Sequence, residues 1–137
     1  MRNEKKGDKM RELKFRIWNE KHKEFFFWGF VGSDSVFSGI PTGSGITLDY
    51  AKENSEQFTG LHDKNDKEIY DGDMVVCTYG KYYLEKDGLT RIGKIIYDDR
   101  TASFKMNVKD SSVSVGFYDI NKIEIIGNIH ENPELLK

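Results

Sequence analysis

From residue 74 onward the chain repeats one kind of event. Residues 74–79, 92–97, 103–108, 113–118 and 123–126 are short runs rich in β-branched and aromatic side chains, separated by Gly, Asp, Asn and Ser. Runs this short bury too little for free-standing helices, whereas their composition suits a pleated, half-buried surface. Several of them at this spacing predict an all-β architecture, a barrel or a sandwich. A chain of 137 residues supports one such core more comfortably than two.

Strands are predicted ahead of this region as well. Leu13, Phe15 and Ile17 alternate with Lys14, Arg16 and Trp18, the period-two pattern of a strand with one buried face. In residues 25–31, Phe25, Phe27 and Val31 point one way while Phe26, Trp28 and Phe30 point the other. Both faces of that strand are apolar, so it must be covered twice or stay adhesive. Residues 32–45 are rich in Gly, Ser and Pro and read as a loop with a short strand at Val36 and Phe37. Residues 46–56 fit two descriptions, a strand at the start or a helical turn capped by Asp49 or Thr47. At the far end Asn132 suits a helix cap, Pro133 a first helical position and Glu134 the positive end of the dipole, giving a short C-terminal helical turn with Leu135 and Leu136 to dock. Beyond Met1, residues 1–9 carry no large apolar side chain, so a flexible tail over 1–9 and a single domain over 10–137 are expected.

Charge narrows the partners. Residues 1–24 hold nine Lys/Arg against five Asp/Glu, and the remainder holds twelve against eighteen. An acidic body does not attract a phosphate backbone over its whole surface, so nucleic acid would need a local patch near the basic N-terminal segment. The lone Cys77 excludes an intrachain disulfide and a cysteine-rich zinc site and fits a reducing cytoplasm. The charged first ten residues do not form a secretory signal, and the longest apolar run, 25–31, falls far short of the roughly 20 residues a membrane span needs. A cytoplasmic protein is expected.

The densest group of chemically capable side chains is His62, Asp63, Asp66, Glu68, Asp71 and Asp73. It does not fit a calcium-binding EF-hand loop, because one starting at Asp63 would need Gly sixth and Glu twelfth where Glu68 and Met74 stand. Turn architecture fits better: residues 63–66 reverse the chain through Lys64 and Asn65, Ile69 and Tyr70 begin pairing, and Asp71 with Gly72 makes a second reversal before Met74. Cys77 shares strand parity with Val75 and Tyr79 and reads as a packed side chain. His22, His62 and His130 sit in no nucleophile motif and read as surface or turn residues, and Asp98 and Asp99 close a hairpin between Tyr97 and Phe104. No catalytic residue, metal ligand or cofactor motif is assigned. A metal-dependent hydrolase using Asp63, Asp71 or Asp73 is the least favoured reading and would require those carboxylates to converge.

Aromatic residues interleaved with cations leave one binding surface to consider. Arg16, Trp18, Phe26, Trp28 and Phe30 are the candidate partner-binding residues. Exposed, such a patch suits a protein partner or self-association, and with the basic N-terminal segment it gives the alternative of a nucleic-acid-binding module. Ordinary cross-strand packing accounts for the same residues without any ligand.

The segments MRELKFRIW (10–18), QFTGLHDKNDKEIYDGDMV (57–75), GKIIYD (93–98) and IEIIGNIHENPELL (123–136) resemble, in order, the successive motifs of the YopX family. The combination of TGL, IYDGD and IGNIHENPELL is far more specific than any one of them. The resemblance implies an all-β fold with an SH3-like barrel or roll around the IYDGD segment, to which the strands read at residues 13–18 and 25–31 are N-terminal additions, and an origin in a phage or prophage of Gram-positive bacteria. It brings no activity and no site residues. Asp66 stands where such proteins commonly have Gly, which bears on the local turn type. The expectation is therefore a non-enzymatic protein-interaction module.

Overall fold

In the computed structural model, residues 12–30, 37–40, 43–79, 89–109, 114–115 and 123–136 are described. The expected tail over residues 1–9 lies outside them, as do Val31 and Val36 and most of the strand expected at 113–118. The chain is mainly β, and it divides after Ser55 into two compact units.

The first unit holds β1 (Lys14–Asn19), β2 (Glu24–Phe30), β3 (Phe37–Ser38) and α1 (Leu48–Asn54). β1 and β2 form an antiparallel hairpin, and β3 pairs with the far side of β2, so β3 is an edge. The polar link between β1 and β2 turns with Lys23 at φ 54°, and Asn19 Oδ1 accepts from the His22 amide at 3.0 Å. Gly29 permits the close approach of β2 to the start of β1. Its φ is +102°, a Cβ there would collide with the Leu13 carbonyl, and the next amide, Phe30, donates to that carbonyl at 2.9 Å.

Of the two descriptions open for residues 46–56, the helical one holds. Thr47 is extended and its Oγ1 accepts from the Tyr50 amide at 3.1 Å, the bond an N-cap makes. Asp49 lies in the first turn, where its charge favours the dipole, and Ala51 is buried.

The second unit contains β4 (Glu56–His62), β5 (Glu68–Tyr70), β6 (Asp73–Tyr79), β7 (Leu89–Asp98), β8 (Ser103–Val108), β9 (Ser114–Val115) and β10 (Ile123–Asn128), followed by a 3-10 helix at Pro133–Leu136. β4 and β5 form a hairpin, and the remaining strands form an antiparallel sheet ordered β10-β6-β7-β8-β9. That sheet ends on β10 and β9 rather than closing, so an SH3-like barrel is not seen among the described residues. Ile69, Val75, Cys77, Ile95, Met106 and Ile123 form its buried core, with Phe104 and Ile125 packed alongside. Each such side chain contributes about 1.5–3 kcal/mol by leaving water. Cys77 thus packs where its strand parity places it.

The C-terminal turn starts where expected, with Asn132 ahead of it and Pro133 as its first residue, but the Asn132 side chain does not cap it. Asn132 offers its carbonyl to the Leu135 amide at 3.0 Å, but its side chain turns back to accept from the Asn128 amide at 3.3 Å. The Asn128 side chain instead closes the turn ahead of the helix, its Oδ1 accepting from the amides of His130 and Glu131, both at 2.9 Å. No helix among the described residues is long and apolar enough to cross a membrane.

Candidate functional site

The β1–β2 register decides which aromatic side chains share a face. Phe15 lies opposite Trp28 and Ile17 opposite Phe26, while Arg16 lies opposite Phe27 and Trp18 opposite Phe25. Residues directly opposed across an antiparallel pair project to the same side. The candidate residues therefore divide, with Arg16 and Trp18 on one face and Phe26 and Trp28 on the other. Phe30, past Gly29, pairs with Phe37 at the sheet edge. They do not build a single platform.

Each group has its own chemistry. Trp28 stacks on Phe15 at 4.3 Å with planes 16° apart, and its indole N–H donates to Ser55 Oγ at 2.9 Å. The Arg16 guanidinium lies 4.2 Å from the centre of the Phe25 ring, and Trp18 meets that ring edge-on at 5.0 Å. Arg16 and Trp18 are buried, whereas Phe26, Trp28 and Phe30 are half-buried. Within β1, β2 and β3 the most exposed aromatic rings are two outside the candidate set, Phe27 at 45% and Phe37 at 57%. Phe30 stands edge-on to Phe37 at 5.5 Å. With Leu48 and Tyr50 of α1, four of the seven large exposed apolar side chains among the described residues fall in the first unit.

The acidic segment of the second unit is turn architecture. Residues 63–66 form a β-turn closed by the Asp66 amide on the Asp63 carbonyl at 2.9 Å, and Asp66 follows at φ 65°. Asp63 is buried and occupied on both oxygens: Oδ1 accepts from the Asn65 and Lys67 amides at 2.8 and 2.9 Å, and Oδ2 from the Ile125 amide of β10 at 2.9 Å. Burial raises the Asp63 carboxyl, but the amides of Ile125, Lys67 and Asn65 and the charge of Lys67 outweigh it and hold the group below the ordinary carboxylate value. Asp73 likewise accepts from the Tyr70 amide at 2.7 Å, and Gly72 makes the second reversal at φ 93°. Among the described residues no three His, Cys, Asp or Glu side chains gather closely enough to hold a metal.

The β4–β5 hairpin also carries a bulge around Gly60, φ 89°, between the pairs Phe58–Tyr70 and His62–Glu68. Thr59 stabilises it by donating its hydroxyl to the Ile69 carbonyl at 2.8 Å and accepting from the Leu61 amide at 3.1 Å. Leu61 and His62 are exposed beyond it.

One pair escaped the sequence reading. His130 Nε2 lies 2.8 Å from Glu56 Oε2, joining residues 74 positions apart, and the Glu56 carboxylate rests against Gly72 so closely that a Cβ there would come within 2.6 Å. Glu56 is buried at the start of β4 and His130 is half-buried after β10. No local pattern announces such a pair; the only hints are polar residues placed beside elements that must pack.

A YopX protein family profile matches residues 14–137. The chain belongs to the YopX family. Its fold is similar to the crystal structure of protein EF1440 from Enterococcus faecalis, with 30% identity and a TM-score of 0.54 over 91% of this chain and 98% of that one. No curated protein matches the sequence.

In this YopX chain the segments 57–75 and 123–136 become β4, the 63–67 turn, β5 and the start of β6, and then β10 with the terminal 3-10 turn. They meet through Asp63 with Ile125 and through the Ile129 amide on the Gly72 carbonyl at 3.1 Å. Those motifs therefore carry structure in this YopX chain, while the exposed aromatic side chains Phe27 and Phe37 lie outside both.

Proposed function

We propose that the chain is a non-enzymatic protein-interaction module of phage or prophage origin, working in the cytoplasm of its bacterial host. The observation that carries this reading is the exposed aromatic rings of the first unit: Phe37, 57% exposed and paired with Phe30 at the edge strand, and Phe27, 45% exposed on the Arg16 face of β2. Large apolar side chains held at a surface cost solubility, and they are a common basis for recognising another protein. The phage origin follows the motif resemblance and the cytoplasmic setting the lone Cys77, and a partner protein or a second copy both fit.

The nucleic-acid reading has less support. The cation it needs, Arg16, is buried over Phe25, and Trp18 is buried beside it. Hydrolysis led by Asp63 or Asp73 is weaker still, because both carboxylates accept main-chain amides.

The experiment is a pull-down with the tagged chain from prophage-carrying cells, split into nuclease-treated and untreated halves and repeated with Phe37→Ser. A protein captured at fixed stoichiometry after nuclease, and lost with Phe37→Ser, supports the module. Recovery that requires intact nucleic acid, or that is indifferent to the aromatic surface, overturns it.

A further inference from the structure

β10 ends its sheet, so its outward amide and carbonyl groups are those that would pair with another strand. Two of them are already taken, by the turn between β4 and β5. The Lys64 amide donates to the Ile123 carbonyl at 2.9 Å, and the Ile125 amide donates to Asp63 Oδ2 at 2.9 Å. A parallel neighbouring strand would place one residue opposite Glu124, its N–H on the carbonyl before and its C=O on the amide after. The turn reproduces that pair of bonds, with a carboxylate oxygen standing in for the carbonyl. Glu124 then clamps the turn from its own side chain, with Oε1 3.2 Å from Lys64 Nζ and Oε2 accepting from Asn65 Nδ2 at 3.4 Å.

We infer that the 63–67 turn is a plug that keeps the β10 edge from pairing with the β10 edge of a second copy of this chain. A partner must present an open edge of matching register, and a second copy that has lost the same plug presents one related by two-fold symmetry. The strand is well suited to such pairing, with three isoleucines in its six residues and Ile126 37% exposed. The register shift between Ile125 and Gly127 is a second guard, since bulges twist an edge away from neighbours. This inference concerns the second unit alone and is independent of the aromatic surface.

The test compares the full-length chain with Asp63→Ala and with Lys64→Pro, by light scattering across a concentration series, with far-UV circular dichroism to confirm folding. Lys64→Pro is the milder change: position 64 is the second residue of the turn, where proline is favoured, and only its bond to Ile123 is lost from the backbone. Either folded variant is expected to show a mass rising with concentration from the wild-type value toward twice that value. Adding Ile125→Pro to the same chain removes the outward amide while leaving the pairing with β6, and is expected to restore the wild-type mass. Folded variants that keep the wild-type mass, or an association that survives Ile125→Pro, overturn the inference. Hydrogen exchange in the unaltered chain gives a reading free of substitutions. The Ile125 amide is expected to be protected like the amides between β6 and β7, and exchange at the rate of an open edge amide overturns the plug.

Discussion

Asp66 holds a left-handed conformation, φ 65°, that ordinary L residues avoid and that Asp tolerates because its short side chain bonds locally. Glycine meets no such cost, so Asp66→Gly is expected to raise stability by about 0.5–1 kcal/mol, read from the urea midpoint. Asp63 makes the opposite case. Its carboxylate satisfies three amides, and Asp63→Asn, which loses charge and half of the acceptor capacity, is expected to cost about 1–3 kcal/mol. The pH dependence follows from the same group. A carboxyl whose folded value lies below its ordinary 3.8 stabilises the fold above that pH, and the contribution disappears as pH falls through the folded value. Asp98 behaves in the same way at the tip of the β7–β8 hairpin. The Lys105 ammonium, and after it the amide and guanidinium of Arg100, hold it at about 2. Thermal melts of the wild type should therefore lose stability between about pH 4 and pH 2, and a chain carrying Asp63→Asn and Asp98→Asn should lose less over that window.

Among the elements, β2 carries the contrast between packing and surface. Trp28→Ala removes the stack on Phe15 and the bond to Ser55, and is expected to cost about 3 kcal/mol. Phe37→Ser, at an exposed edge position, is expected to stay within about 0.5 kcal/mol of wild type while abolishing partner capture. Chemical denaturation of the two variants separates the roles, and a large loss for Phe37→Ser would mark it as core. Element existence was largely legible because alternation and turn residues are local signals: 103–108 became β8 residue for residue, and 92–97 lies inside β7. The helix at Leu48–Asn54 was ambiguous because seven residues hold too little periodicity, and its cap depends on one hydroxyl meeting one amide. The C-terminal helical turn was legible from Asn132 and Pro133, but the direction of the Asn132 side chain, back to the Asn128 amide, was not, because it depends on where β10 ends.

For the molecule as a whole, charge sets one expectation and topology another. Residues 25–137 carry eighteen acidic side chains against twelve basic ones, and the best-placed cation of the aromatic region is buried. The chain is therefore expected to pass unretained through a DNA column at about 0.15 M salt, and retention there would return nucleic acid to the leading place. Long-range arrangement was not legible. An open sheet and a closed barrel share the same strand sequence pattern, since closure depends on which edges meet. The division of the aromatic candidates between two faces follows from a register that no single strand reveals. The Glu56–His130 pair lay hidden for the same reason, as its partners are 74 residues apart.

Both tryptophans, Trp18 and Trp28, belong to the hairpin of the first unit, and the second unit has none. Indole emission is thus an unlabelled optical probe carried by the first unit alone. A quench or colour change on mixing with a partner reports on the surroundings of the aromatic strands without any added label.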